Sequence, residues 1–562
     1  MVEPTTNTDD KITPLEADRG ESHYDAVVVG GGPAGLLSAI MLAQKLPLSS
    51  SASSSSFRVV VYDRLPPPPP PDNLVYSTDV SRYYLLGLGH RGQSALKFFD
   101  VWDDVEKASV AVLGRRDWTP GKMKEEDSRI TMSNKEVTSR VLARDKLVGV
   151  LKQVIETRYS DTVELRYGYQ VDPVTFGNED TTHHEGSGPP VQLQVSQCTP
   201  LAFDSDIEEC SIDNAQPRKV TTSFLIAADG AARTIANAME MNYIEYRKRT
   251  NLFQRLFGKK RQAPFRVTRY EDDNQRVYKS IPITFPSHWP HNINYSARSV
   301  NNRGTFEALP SDANGNYCAL LLLRPDDVLA SANCDPKLLR EFFDEQFPQF
   351  SKLLGDEVMK DVAQKGASTL PSFRFAGPRH HEGGRTVILG DAVHTVKPYY
   401  GLGANTALED VKILAEIIES VPDLERAPPE FTKKRAADSR ALVTMSRGMD
   451  RPGKLGTMRF ILPLILDSIF NKFMPSIFGP SMFGMFQRQG LSFRQIQRKK
   501  RLDRVLQSVV IATVLSSIGM GLRYSTKVLA KMLVVSQAVA SGSLIALLGL
   551  IGIVRIKLSK KD

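Results

Sequence analysis

The chain has 562 residues, 41% hydrophobic and 24% charged, an ordinary globular balance with room for two or three domains. Its four cysteines, Cys198, Cys210, Cys318 and Cys334, make no CxxC pair, which argues against a disulfide scaffold and a structural zinc site. The net charge of +9 gathers between Arg247 and Arg269 and near the C-terminus, without interleaved aromatic and basic residues, so nucleic acid is not an expected partner.

Residues 1–23 read as a polar, acidic tail without the apolar core of a signal peptide. An apolar strand, Ala26 to Val29, then runs into Gly30, Gly32 and Gly35, spaced GxGxxG, with a helix expected from Pro33. Gly30 permits a tight turn, Gly32 lets a pyrophosphate approach the backbone, and Gly35 lets helix and strand close together. A second strand, Phe57 to Tyr62, ends at Asp63, where a carboxylate can meet a ribose hydroxyl and disfavours a 2′-phosphate. The glycines lie further from this acid than the usual spacing of about 20 residues. The low-complexity run Ser49 to Ser56 accounts for the excess as a loop, and Pro66 to Pro71 forms a stiff surface spacer. A bound adenine dinucleotide is the expectation; the plainer alternative is a glycine-rich turn in some other α/β domain.

The nucleotide-binding domain is expected in three parts, 24–170, 219–243 and 371–425, with a β insertion at 171–218. Its second part rests on the apolar strand that ends in Asp229-Gly230. Residues 244–370 alternate, as in Arg276 to Ile283 and Tyr317 to Leu323, with turn residues from Pro310 to Gly315, and predict antiparallel strands. In the third part the strand Arg385 to Leu389 runs into Gly390-Asp391. A loop with Pro398, Gly401, Leu402, Gly403 and Ala404 follows, and then a helical pattern from Leu408 to Ile418. Exposed N–H groups and a helix N-terminus make such a loop an anion holder. The fold class is therefore α/β: a doubly wound domain interrupted by a mostly antiparallel β domain, with a ligand between them.

Residues 426–504 read as helical, with a broken apolar patch from Phe460 to Phe486 that suits a bilayer interface. Residues 505–554 hold two apolar runs, Val505 to Leu522 and Leu533 to Val554, and predict one or two transmembrane helices before a basic tail at 555–562. Basic residues on both outer flanks fit a hairpin returning to the cytosolic side; the alternative is a single span at the second run. The adjacent histidine pairs His183-His184 and His380-His381 read as solvated rather than ligating, and no metal site is expected.

Taken together, Gly30-x-Gly32-x-x-Gly35, Asp229-Gly230 and Gly390-Asp391 with Pro398, Gly401-x-Gly403-x-Asn405 and Asp410 resemble the single-component FAD-dependent aromatic hydroxylases. Within that family the chain is most similar to the kynurenine 3-monooxygenase branch, through Arg82 to Leu96, Leu142 to Leu147 and Tyr278 to Pro282. The resemblance implies FAD held by Gly30, Gly32, Pro33, Ala34 and Gly35 at the pyrophosphate, Asp63 at the ribose and Arg144 near the phosphates. It likewise implies Asp229, Gly390 and Asp391 toward the ribityl or pyrophosphate portion, and Pro398, Gly401, Leu402, Gly403, Ala404 and Asn405 along the flavin ring. Arg82 matches an arginine that pairs with a substrate carboxylate, a role suited to its two-pronged guanidinium, and Tyr400 and Asn405 fall on the substrate side. His394 and Lys397 lie in the flavin loop, where they could tune a peroxide or donate a proton; a structural or solvent-facing role is the plainer expectation, and no catalytic side chain is assigned.

The implied reaction uses FAD and a transient NADPH to insert one atom of O2 into an organic, aromatic small-molecule substrate through a flavin C4a-hydroperoxide, kynurenine hydroxylation being one form. The alternatives are a membrane-bound monooxygenase or epoxidase of a lipid or isoprenoid, and a non-catalytic tethered flavoprotein. The implied location is a membrane, bound through C-terminal contact with lipid, with the catalytic domain facing the cytosol and the mitochondrial outer membrane as one candidate; oligomeric state stays open. The chain departs from the family at several points. Asp63 replaces a usual Glu, Arg233 a common Ser, Ala236 a frequent Arg and Leu402 a Gln; Tyr399-Tyr400 replaces a Phe-led pair. No Gln-Pro-Tyr-Gly segment occurs between Arg115 and Asn134.

Overall fold

The computed structural model describes residues 22–46, 58–78, 84–122, 124–133, 136–177, 189–200, 210–212, 216–250, 263–271, 275–486, 488 and 490–558. The chain divides into two units, Met1–Phe460 with Phe486–Arg494, and Ile461–Met485 with Gln495–Asp562. In the first unit, β1 (Ser22–Val29) turns through the glycines into α1 (Pro33–Lys45) and returns as β2 (Val59–Asp63). Helices α2 (His90–Phe98) and α3 (Arg144–Arg158) follow, then β3 (Arg218–Ala227) and α4 (Thr234–Arg249). A run of strands, β4 (Val277–Thr284), β5 (Ile293–Arg298), β6 (Thr305–Pro310) and β7 (Asn316–Leu323), precedes β8 (Thr386–Ile388), α5 (Leu402–Ser420) and α6 (Ala427–Gly448).

The first sheet has a parallel core in which β1 lies between β2 and β3: Val29 pairs with Tyr62 on one side and Ala227 on the other. Strand Val163–Tyr167 extends the sheet beyond β2, and β8 extends it beyond β3 with Leu225 opposite Thr386. Both faces are covered, so these strands read as unbroken apolar runs; Val28, Val61 and Ile226 share one buried cluster with Leu36 of α1, Leu151 of α3 and Leu414 of α5. The chain runs from β1 toward β2 and then jumps back past β1 to β3. That reversal of strand order opens a crevice at the C-terminal ends of β1 and β3, the usual ligand position of a doubly wound sheet.

The second sheet is antiparallel through β4, β7, β6 and β5, as the alternation predicted, and β6 and β7 meet across the expected turn. It also takes in two strands from far upstream, Gly114–Trp118, parallel to β5, and Arg129–Met132. Along β4, Val277, Ile281 and Ile283 join the aromatic core built with Phe343, Phe347 and Phe350. Tyr278, Ser280 and Pro282 point to the other face and are half-buried.

In the second unit the helix Phe493–Leu558 is continuous. Of the two readings, the hairpin would need a turn near Arg523 to Lys527; the helix instead runs through that connector, which offers neither proline nor glycine to stop it. Among the described residues one helix is long and apolar enough to cross a membrane, and it lies within this element. Its 66 residues span roughly 100 Å, more than the roughly 30 Å that one crossing needs. Asp467 and Asp503, both buried, pair with Lys500 at 3.1 Å, and Arg504 reaches Asp467 at 2.7 Å.

A Cβ at Gly35 would lie 1.7 Å from the carbonyl oxygen of Gly30, with no flexible side chain to yield. Gly35→Ala is therefore expected to destabilise the protein by about 1–3 kcal/mol, read as a lower denaturant midpoint.

Candidate cofactor-binding site

The crevice at the strand-order reversal gathers loops from three distant parts of the chain. The first is the β1–α1 turn. Gly30 has φ +103°, and a Cβ there would meet the Ala228 carbonyl oxygen at 2.3 Å. At Gly32 the surroundings are open: the nearest atom to an added Cβ is Arg144 Nη2 at 3.6 Å. The backbone is thus packed tight at Gly30 and Gly35 and bare between them, which leaves a cradle. Pro33 opens α1, where its missing N–H is no loss. Ala34 faces the third loop, since a Cβ at Gly390 would lie 3.6 Å from the Ala34 Cβ.

Asp63, at the end of β2, accepts the Gly31 N–H at 2.5 Å and the Leu65 N–H at 2.7 Å. The first of these bonds ties the end of β2 to the glycine loop. Arg144 starts α3; its N–H bonds to the Tyr84 carbonyl at 2.8 Å and its Nη1 to Asp145 at 3.0 Å.

The second loop follows β3. Asp229 Oδ2 accepts the Ile235 N–H at 3.2 Å, while its Oδ1 is shut off from solvent without a partner. Burial pushes this carboxyl up to about 6, against the opposing pull of the Ile235 N–H and Arg233. Arg233 holds a left-handed backbone, φ +55°, at the start of α4, and its side chain runs inward to Ala231, Asp391 and Thr395.

The third loop joins β8 to α5. The Gly390 N–H bonds to buried Asp410 at 2.9 Å, and the Asp410 carboxylate also contacts His394 Nε2 at 2.7 Å and pairs with Arg435. Burial alone would raise Asp410, but Arg435 and His394 outweigh it and hold the carboxyl below the usual range. Arg435 completes the hub with Asp438 at 2.7 Å and Glu409 at 2.9 Å. Asp391 keeps an exposed surface yet sits deep among protein atoms, and that desolvation raises it. Pro398 begins a short turn closed by Gly401 at φ +60°, and α5 starts at Leu402. The first N–H groups of α5, including those of Gly403 and Ala404, have no partner within the helix and carry its positive dipole end.

Several sequence expectations change on this geometry. Asn405 does not present its amide to a substrate: Oδ1 accepts from Gly89 N at 2.8 Å and Gly92 N at 3.2 Å, and Nδ2 donates to Gly87 at 2.7 Å and Gly401 at 2.5 Å. It caps α2 from a distance, so its role is to join α2 to α5. His380 is buried beside Phe375 and Phe431 rather than solvated, and burial lowers it to about 3. Lys397 is buried against Asp450 at 2.7 Å, a structural position. Tyr400 is half-buried, its phenol pushed up to about 12 by burial and then by Asp450. Arg82 lies outside the described residues. Arg233, Arg435 and Tyr84 were not singled out as site residues from the sequence. Tyr84 lies within electrostatic reach of both Asp391 and Tyr278, and so links the crevice to the outer face of β4. Among the described residues no group of His, Cys, Asp or Glu is placed to hold a metal ion.

Residues 338–442 match the family model described as FAD binding domain. The chain is 25% identical over 314 residues to the kynurenine 3-monooxygenase of Salinispora tropica, covering 54% of this chain and 63% of that one. It is 30% identical over 200 residues to that of Anopheles gambiae, covering 34% and 41%. The chain thus matches less than two thirds of the length of either relative. Among solved structures, pqsL of Pseudomonas aeruginosa aligns over 78% of this chain and 99% of its own, at 15% identity and a TM-score of 0.49.

Two outcomes test the cradle. Gly32→Val is expected to abolish FAD retention while the unfolding midpoint stays near the parent's, because the new side chain fills the open space rather than striking backbone. Asp229, whose folded pKa is raised, stabilises the FAD-free fold fully only below its unfolded value, and that contribution fades as pH rises through about 6. Asp229→Asn is expected to remove this loss, so the variant gains on the parent between about pH 4 and 7 in urea melts of FAD-free protein.

Proposed function

We propose that this chain, a member of the FAD-dependent aromatic hydroxylase family, is a monooxygenase that takes electrons from NAD(P)H and places one oxygen atom of O2 in an organic, aromatic substrate. The observation that carries the reading is the meeting of three loops at one strand-order reversal, with Gly30 against Ala228 and Gly390 against Ala34. The residues present fit FAD: a bare backbone cradle at Gly32, a cation at Arg144, an acid at the end of β2 at Asp63, and a helix N-terminus at Leu402. On this fit Gly30 to Gly35 and Arg144 hold the pyrophosphate, Asp63 the ribose and Asp391 the ribityl side, while Pro398 to Ala404 line the ring. FAD supplies the electron transfer and oxygen activation when bound.

The protein's own part is to hold the ring, keep water out and admit the substrate against the outer face of β4. Burial raises the Tyr84 phenol, so it offers a neutral hydroxyl at that wall rather than a phenolate. NADPH acts as a transient reductant. The relatives make kynurenine the first substrate to test. A second reading, a lipid or isoprenoid substrate, is favoured by the same wall: Tyr278 and Ser280 of β4 stand opposite Leu322 and Leu320 of β7, and none of the four carries charge. The long C-terminal helix would anchor the enzyme in a membrane. The basic run Arg498 to Arg501 near its start favours a cytosolic cofactor domain.

The detergent-solubilised protein is expected to be yellow, to bleach with NADPH under anaerobic conditions and to recover its colour with O2. A colourless protein, or a flavin indifferent to both nicotinamides, would overturn the monooxygenase reading. If kynurenine does not accelerate bleaching, the kynurenine form fails and the apolar-substrate form takes its place.

A further inference from the structure

Arg233 is 1% exposed, among the largest fully buried side chains among the described residues. Its guanidinium spans two of the three loops. Nη1 donates to the Ala231 carbonyl at 2.9 Å, beside Asp229-Gly230, and Nη2 donates to the Asp391 carbonyl and the Thr395 hydroxyl of the third loop. Among the described residues no ion pair forms at this arginine, and none offers an acceptor to its buried Nε. Two carbonyls and a hydroxyl could be held by a neutral amide. A full positive charge in this place is more than a clasp requires, and a buried cation without an anion is unfavourable. The strained backbone repeats the point, since φ +55° is a conformation that residues other than glycine seldom adopt. The negative groups nearby, Asp229 and Asp391, act on it only at a distance, and burial lowers it to about 10, so it stays protonated at neutral pH.

We infer that Arg233 is the resident counter-cation of the crevice: it fixes the Asp391 loop to the Asp229 loop and supplies the buried positive charge against which the anionic pyrophosphate of FAD binds. The inference rests on the FAD reading and assigns one of this chain's own residues to that cofactor. Its charge is unpaired before the cofactor arrives and compensated afterwards. Binding should therefore depend on the charge itself rather than on the shape of the guanidinium.

The test compares FAD dissociation constants of the full-length, detergent-solubilised parent, Arg233→Gln and Arg233→Lys, with thermal unfolding of each as the check on folding. Arg233→Lys keeps the charge and is expected to bind FAD within about threefold of the parent, whereas Arg233→Gln is expected to bind about tenfold or more weakly than Arg233→Lys. Any smaller ratio between the two variants overturns the inference, because the bonds rather than the charge would then matter. If Arg233→Gln does not fold, Arg233→Lys decides alone: a loss within about threefold upholds the role of charge and a larger one overturns it. A parent that takes up no FAD overturns the cofactor reading and the inference together, whereas a parent that binds while the two variants match overturns the inference alone.

Discussion

A single buried carboxylate holds the flavin side of the crevice together. Asp410 takes the Gly390 N–H on one edge and Arg435 on the other, with His394 closing the set. A lone carboxylate in that position would be driven to protonate; the paired cation and the hydrogen bonds keep it ionised. Through Arg435 the same charge reaches Asp438, whose other oxygen accepts the Arg494 N–H at 2.7 Å. The left-handed turn at Gly390 is thereby tied to two helices and to a segment more than eighty residues downstream. The position of Asp391, and of everything that would touch the flavin, follows from that anchoring.

The crevice has two unlike walls. The wall built by the parallel sheet is backbone-rich, with bare N–H groups, a helix terminus and acids tuned by burial. The wall built by the antiparallel sheet presents alternate side chains from β4 and β7, all uncharged at Tyr278, Ser280, Leu320 and Leu322. This division of labour suits a reaction in which a bound cofactor does the chemistry and the protein controls approach. The backbone-rich wall announces itself in glycine spacing, whereas uncharged side chains on two strands name no particular partner.

Much of the fold was legible because its signals are local. The apolar strands ending in glycine or Asp-Gly, the helix opening at Pro33 and the alternation of 276–283 each lie within a dozen residues. Partnerships across long gaps were not legible. Gly114–Trp118 joins β5 although about 180 residues separate them, and no pattern in its five residues distinguishes that partner from the parallel sheet. Arg435 sits two residues from Lys433, and composition cannot say which of the two turns inward. Asn405 was placed by motif beside the flavin ring; its amide is fully occupied because α2 arrives with unpaired N–H groups that need an acceptor. His380 was read with its neighbour as a polar pair, yet strand and helix packing separate their environments.

The order of the loops along the chain carries a consequence for biosynthesis. The cradle uses residues near 30, 229 and 390, and β1 acquires its β3 neighbour only after nearly two hundred further residues have been made. A ribosome adding about 5–20 residues per second would expose the first glycine loop for tens of seconds before its partners emerge. Contacts so distant in sequence also form slowly once they are available. A cofactor held by all three loops has its full site only once the chain past residue 390 has been made, so the apolar strands of the early domain stand without it until then.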